Sequence, residues 1–352
     1  MSSATGARRC GDFRTGYHQE MTWFPSPRSA AFAVAGLVLL ACAPLVFKAY
    51  GLALLIQIGY YGIAALGLNL VTGFSGQISL GHAAFFGFGA FFSAWLNNRF
   101  GVPVLLAIPL AGLATALVGL VFGTPAARIK GLYLAIATLA AQYILEDFFS
   151  RAAWFTGGAA GATAHPPGLA GFEIRGDTSY FYLVLVVGVL MFAFAANLMR
   201  TRAGRAMVAV RDHYLAAEIM GIALTRTRVL AFALASFYAG VAGALMGHYI
   251  GFVSTESINI LLSVQMLGMI IIGGLGSIMG SLLGAAFMVL MPEAMESLFH
   301  ALGSGGADKG LVYLKEISIG AVIILFLVFE PDGLAHRWRQ VKAWWKLYPF
   351  SH

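Results

Sequence analysis

The apolar residues of this chain lie in long runs without a charge, most of them about 18 to 22 residues, the length a helix needs to cross a hydrocarbon layer of about 30 Å at a rise of 1.5 Å per residue. Ten such runs can be read between charges, glycines and prolines: Ala30 to Phe47, Gly51 to Val71, His82 to Leu96, Pro103 to Gly123, Gly131 to Phe149, Tyr180 to Leu198, Val229 to Ile250, Ile260 to Ile272, Ser281 to Phe299 and Leu311 to Phe329. The third and eighth are short for a span and are flanked by glycine-rich segments. Of the 352 residues 59% are hydrophobic and 11% are charged, against roughly 25% charged in a soluble domain. A water-soluble core cannot absorb that excess. The expected fold is an all-α integral membrane protein of about ten transmembrane helices with glycine-rich breaks.

The same composition excludes several functions. Cys10 and Cys42 have neither metal-site spacing nor the pattern of a secreted disulfide framework. No cofactor, metal or catalytic residue is expected, because no paired carboxylates, metal-spaced His/Cys set or nucleophile-base pair shares one face. The net charge of +7 is what the positive-inside rule produces in a membrane protein, so lipid rather than nucleic acid is the expected surface partner. Residues 1–29 form a polar tail, too long for the preamble of an ordinary signal peptide; the first span is read as retained, and either Met1 or Met21 can serve as the start.

Orientation follows from the basic residues. With the N-terminus inside, sixteen of the 22 Lys and Arg fall on the inner side, in the tail 1–29, at Arg128 and Lys130, in residues 200–228 and in the tail 331–352. Both termini and the 200–228 segment are therefore expected to be cytoplasmic, with 150–179 periplasmic and residues 30–330 forming the transmembrane domain. Arg211 and His352 then face the cytoplasm and Gly161 the periplasm.

Two segments carry the chemistry. Between Asn69 and His82 the polar side chains Ser75, Gln77 and Ser79 and the glycines Gly73, Gly76 and Gly81 interrupt two apolar runs. Irregular backbone is tolerated at membrane depth only where protein or a water-filled cavity covers it, so these residues are candidates for a solute path. A solute carboxylate would suit the helix N-terminus near His82. The alternative is a short loop of turn residues. Small residues following Gly81 suit close helix packing; Gln142, Gln265 and His248, inside spans, suit interhelical hydrogen bonds. Gly73-Phe-Ser-Gly76-Gln-Ile78 is echoed by Gly273-Gly-Leu-Gly276-Ser-Ile278. Inverted five-span halves would instead pair the break after span two with the break after span seven, so the echo reads as two glycine-rich breaks.

The second segment, Ala206 to Leu224, has high helix propensity, no proline and a single glycine. Ala206, Val210, Ala217 and Met220 fall near one stripe at helical spacing, a face for a docking partner or for the membrane surface. Glu146, Asp147, Glu293, Glu296 and Glu316 all lie toward span ends, so no mid-membrane ion relay is evident. No Gly-Lys dipeptide occurs, which excludes a P-loop. Energy for transport must come from a partner, unless the chain is an ion-coupled carrier or channel acting alone.

The run Leu66-Gly-Leu-Asn-Leu-Val-Thr-Gly-Phe-Ser-Gly-Gln-Ile-Ser-Leu-Gly-His-Ala-Ala-Phe85 closely resembles the signature of LivM-type permeases of branched-chain amino acid ABC importers. Gly131-Leu-Tyr-Leu-Ala-Ile-Ala-Thr-Leu-Ala140, Thr156-Gly-Gly158, Ile271-Ile-Gly-Gly-Leu-Gly-Ser277 and Phe329-Glu-Pro-Asp-Gly-Leu334 extend the resemblance from about Gly51 to Leu334. It implies a multi-pass subunit of the bacterial inner membrane, paired with a second, LivH-like permease, two ATP-binding-cassette ATPase subunits and a periplasmic solute-binding protein. The solute implied is a branched-chain amino acid; similar permeases serve urea or aromatic acids. Ala206 to Ile222 resembles the ATPase-coupling segment, whose pattern is E-A-A-x-x-x-G. Ala216, Ala217 and Gly221 match, Leu215 stands in place of the Glu, and Glu218 is the carboxylate that could replace it. Arg205 and Arg211 belong to the same implied coupling surface.

Overall fold

The computed structural model describes residues 35–301, apart from 37, 130, 166–167, 170–171 and 174–175, and scattered positions between 317 and 337. Of the expected span Ala30 to Phe47 residues 35–36 and 38–47 are described, whereas most of the expected span Leu311 to Phe329 and nearly all of both tails lie outside the described residues. The chain divides into residues 1–48 and 49–352. The first unit contributes a short helix, Ala43–Val46, with proline in its first turn.

In the second unit α1 (Ala49–Asn69) runs directly into a π-turn, Leu70–Phe74. There follow α2 (His82–Phe100), α3 (Val104–Ala126), α4 (Leu132–Arg151) and α5 (Asp177–Arg200). Two shorter helices, α6 (Arg202–Asp212) and α7 (Tyr214–Ile219), precede α8 (Leu224–Ile250), α9 (Ile260–Gly273) and α10 (Ile278–Ala301). Each of the eight central apolar runs of the sequence is thus a helix. Among the described residues six helices are long and apolar enough to cross a membrane: α1 with its π-turn, α3, α4, α5, α8 and α10.

Helix α8 is the axis of the packing, because glycine and alanine let its neighbours approach to backbone contact. A Cβ placed on Gly243 would strike the backbone of Phe86 in α2, and one on Gly240 would strike Thr115 in α3. Gly89 of α2 lies against Gly240 in the same way. This is the close approach that small residues permit between apolar helices, where dispersion replaces the hydrophobic effect. Away from α8 the surfaces are apolar and open: Leu106, Leu113, Leu117 and Val121 of α3 and Val186 and Leu190 of α5 are all more than half exposed. Contiguous patches of that size on a chain require lipid or another subunit to cover them.

The two ends of α8 carry different structures. At its C-terminal end the loop after α4 is sewn down: β1 (Ala162–Thr163) pairs antiparallel with β4 (Phe252–Val253), and β2 (Gly168–Leu169) with β3 (Phe172–Glu173). Asn98 at the end of α2 donates to the Thr163 carbonyl at 2.7 Å. His248 bridges Ser93 Oγ and the carbonyl of His165, each at 2.8 Å. Trp95, Phe88, Phe92 and Phe148 gather around Phe155 at this end, as aromatic side chains do at a membrane interface. At the N-terminal end of α8 lies the α6–α7 hairpin.

The sequence pattern suggested one continuous helix across the hairpin, and the structure differs. His213, at φ −155° and ψ 88°, separates α6 from α7. Met207, Val210 and Ala217 are buried as a stripe, whereas Met220 is 83% exposed. The break at His213 rotates the second half, which takes Met220 off the face that helical spacing assigned to it.

Candidate functional site

The segment from Asn69 to His82 builds two separate constellations. The first is set around the N-terminus of α2. Gln142 stands halfway along α4, hence about 15 Å from either end, and its Oε1 accepts from the Ala84 amide at 2.8 Å and from Ser263 Oγ at 3.2 Å. Ser263 Oγ in turn accepts from the Ala83 amide at 2.9 Å, and Thr138 Oγ1 from the Leu80 amide at 2.9 Å. Gln142 Nε2 reaches the Ile258 carbonyl at 3.4 Å. Helix α2 therefore begins at mid-depth, fed by residues 75–81. Helix α9 begins beside it, fed by residues 251–259 from the opposite end of the bundle. These are the breaks after the second and seventh spans, which an inverted duplication would pair.

Two amides of the first turn of α2, Ala83 and Ala84, among the orphan donors expected at any helix N-terminus, and the Leu80 amide just before it are thus satisfied by side chains of α4 and α9. His82 is 2% exposed, and its Nε2 lies 3.0 Å from the Ala64 carbonyl. A Cβ on Gly81 would strike the Thr138 carbonyl. The expected carboxylate-binding helix end is a closed, neutral polar hub in this conformation. Ser79 is buried beside it.

The second constellation lies one helical turn or more toward the hairpin. Asn69, fully buried, accepts from the Gly276 amide at 2.8 Å and donates to the Ser277 carbonyl at 2.9 Å and to Ser281 Oγ at 2.8 Å. The two glycine turns that echo each other in sequence are therefore in contact. Gly76 and Gly276 both take left-handed φ, +70° and +72°, where only glycine is unstrained. Gly73 is confined: a Cβ there would meet Asn69 Oδ1 and the Gly276 amide. Arg211 of α6 closes the group, its Nη1 donating to the Gly73 carbonyl at 2.9 Å.

Gln77 and Ser75 are buried between these constellations. Gln77 Nε2 donates to Ser75 Oγ at 2.7 Å and to the Arg228 carbonyl at 3.3 Å. Its Oε1 is buried and, like Thr72 Oγ1, has no hydrogen-bond partner among the described residues. Arg228 itself reaches back to the Ala127 carbonyl at 3.2 Å.

The hairpin sorts the expected coupling residues into two groups. Ala217 and Arg211 turn toward the membrane helices, Ala217 buried and Arg211 bonded to Gly73. Arg205, Ala216, Glu218 and Gly221 are exposed, and Arg205 bonds the Arg200 carbonyl at 2.7 Å. Leu215, Ile219 and Met220 stand 52%, 86% and 83% exposed, an apolar tip of which the sequence pattern puts only Met220 on a docking face, and on the stripe that is otherwise buried. The hub residues Thr138 and Ser263 and the junction serines Ser277 and Ser281 also escaped notice as site residues. A polar side chain inside or at the edge of an apolar run marks Thr138, Ser263 and Ser281, whereas Ser277 lies in the glycine-rich break between two runs. By the same signal Gln265 was a hydrogen-bond candidate, yet it makes no such bond among the described residues.

Comparison with known proteins adds identity to this geometry. Residues 50–327 match the family described as the branched-chain amino acid transport system / permease component. The high-affinity branched-chain amino acid transport system permease proteins LivM of Salmonella typhimurium and Escherichia coli are each 31% identical over 298 residues, 78% of this chain and 67% of theirs. The autoinducer 2 import system permease protein LsrC of an Enterobacter species is 29% identical over 200 residues, 55% of this chain and 56% of its own. No solved structure matches the chain. With most of its length covered by the family match, this chain belongs to the branched-chain amino acid transport permeases and is a multi-pass membrane protein.

Proposed function

We propose that the chain is one permease subunit of an ATP-driven importer that brings branched-chain amino acids into the cytoplasm through the bacterial inner membrane. Its partners in this reading are a second, LivH-like permease, two ATP-binding-cassette ATPases and a periplasmic solute-binding protein. The observation that carries it is the tip of the α6–α7 hairpin, where Leu215, Ile219 and Met220 are exposed next to Glu218, with Arg205 exposed on α6. A protruding apolar helix end with charges at its rim suits insertion into a groove of a partner. The charge asymmetry of the sequence puts this end of the bundle in the cytoplasm, where ATP is available. The solute path in this reading follows Asn69, Gly73, Ser75, Gly76, Gln77, Ser79, Gly81 and His82. Along it the unpaired Gln77 Oε1 offers an acceptor to an ammonium group.

Gly221 takes φ +86°, so a bulky residue there would strain the turn as well as block a partner. Substitution at the tip is the cleaner test. Ile219→Glu with Met220→Glu should leave the permease in the membrane at normal amounts and reduce recovery of the ATPase with it by about tenfold, the size of a lost interface anchor. Full recovery of ATPase with this variant would overturn the docking assignment. Solute uptake by vesicles holding this chain alone would instead favour a self-sufficient carrier or channel.

A further inference from the structure

Arg211 occupies the point where three structures meet: the end of α1, the turn from α9 to α10, and the α6–α7 hairpin. Its Nη1 donates to the Gly73 carbonyl at 2.9 Å. A Cβ on Gly76 would lie 3.0 Å from Arg211 Cγ, and one on Gly276 would lie 2.9 Å from Arg211 Nη1. The guanidinium thus lies against the left-handed Gly276 turn and the aliphatic stem of Arg211 against the left-handed Gly76 turn, both closer than a Cβ at either glycine would comfortably allow. Asp212 holds the other side of the group, accepting from Nε at 2.8 Å and pairing with Nη2 at 2.8 Å. Asn69, at the end of α1, binds the second of these turns through the Gly276 amide and the Ser277 carbonyl.

We propose that Arg211 is a positioning residue that carries movement of the α6–α7 hairpin into the membrane helices by holding the glycine turns at Gly73–Gly76 and Gly276 as one joint. The inference rests on the importer reading and goes beyond it, because it turns Arg211 from an ATPase contact into an internal link. Glycine turns are where a chain absorbs a change of φ and ψ most readily. A charge-assisted bond to a carbonyl is stronger than a neutral one and directional. Displacement of α6 by the ATPase therefore acts first on the Gly73 carbonyl and, through Asn69, on Gly276 and the start of α10. The stripe of Met207, Val210 and Ala217 keeps the hairpin seated whether or not the arginine is present, so docking and transmission are separable.

The test uses the complete assembly, this chain with its partner permease, ATPases and binding protein, reconstituted in lipid vesicles and supplied with leucine and ATP. Arg211→Ala should keep ATPase recovery within about twofold of the parent and lower leucine imported per ATP hydrolysed by about tenfold, a coupling free energy of ordinary size. Arg211→Lys, which can still donate to the Gly73 carbonyl, should regain a substantial part of that ratio. Gly276→Ala, which leaves the arginine in place but strains the left-handed turn and crowds its Nη1, should lower the ratio as Arg211→Ala does. An unchanged ratio in Arg211→Ala overturns the proposal. So does loss of ATPase recovery in that variant, which would make Arg211 a docking contact and leave the importer reading standing. Failure of the parent assembly to recover any ATPase would overturn the importer reading, and this proposal with it.

Discussion

The hub around Gln142 and the junction around Arg211 lie along one polypeptide segment, yet they are built from different materials. At the hub every bonding side chain is neutral, and Gln142, Ser263, Thr138 and His82 are at most 2% exposed. At the junction Asn69 and Ser281 are equally buried, but the closing group is an arginine whose side chain is 36% exposed. Neutral bonds sealed from water offer no handle to anything outside the bundle. They fix where α2 and α9 begin. A cation that reaches solvent on one side and a backbone carbonyl on the other is open to a partner. The difference teaches that irregular backbone inside a membrane protein serves two ends, one holding the scaffold and the other permitting movement, and that the charge and exposure of the group closing each break tell them apart.

The sharpest way to break this contrast is at the hub. Gln142→Leu would leave the Ala84 amide, the Ser263 hydroxyl and the Ile258 carbonyl short of a partner. Each buried unsatisfied group costs about 1 to 3 kcal/mol, and no water is at hand in the bilayer core to replace the amide. The total is comparable with the whole stability of many domains, about 5 to 15 kcal/mol. The expected outcome is a severe loss of protein from the membrane, measured by quantitative immunoblot at equal transcription. Normal amounts of a Leu variant would show that the hub is dispensable to the scaffold.

At the junction the effect should fall on transport instead. Gly73→Ala puts a methyl group where Asn69 Oδ1 and the Gly276 amide lie, so the two turns must separate. Overpacking of this kind costs about 1 to 3 kcal/mol, which a bundle of this size tolerates. Membrane amounts should stay within about twofold of the parent while leucine uptake falls by about tenfold. A variant that is depleted from the membrane as severely as the Gln142→Leu protein would erase the distinction between the two regions.

Much of this architecture was legible because membrane helices declare themselves by length and apolarity: eight runs read between charges and glycines are eight helices. Their ends were less legible where charge and span overlap. Helix α8 begins at Leu224 rather than Val229, because Arg228 spends its charge on the Ala127 carbonyl and so does not mark an edge. Helix α9 is only 14 residues long because it begins beside α2 at mid-depth, and that follows from a contact between residues 180 positions apart. The break at His213 left no mark in helix propensity. The echo of Gly73–Ile78 in Gly273–Ile278 was visible as letters, but the meaning of the letters depended on Asn69, whose bonds reach more than 200 residues along the chain.

The smallest expected effect lies between the two regions, at Gln77. Its Nε2 binds Ser75 Oγ and the Arg228 carbonyl, while its Oε1 has no partner. Gln77→Leu keeps the volume, discards two bonds worth about 1 kcal/mol each net and removes one unpaired buried acceptor whose desolvation costs about as much. These terms partly cancel, so the scaffold should lose much less than it does with Gln142→Leu. Contact with a passing solute does not cancel. One lost bond of about 1 kcal/mol to an ammonium group corresponds to about a fivefold loss of affinity for the bound state. Uptake of leucine by the complete assembly should then show KM for transport raised about fivefold, with the ratio of solute to ATP unchanged. A fall in that ratio at constant KM would move Gln77 from the path to the junction. A fall in membrane amounts like that of the Gln142→Leu protein would move it to the hub.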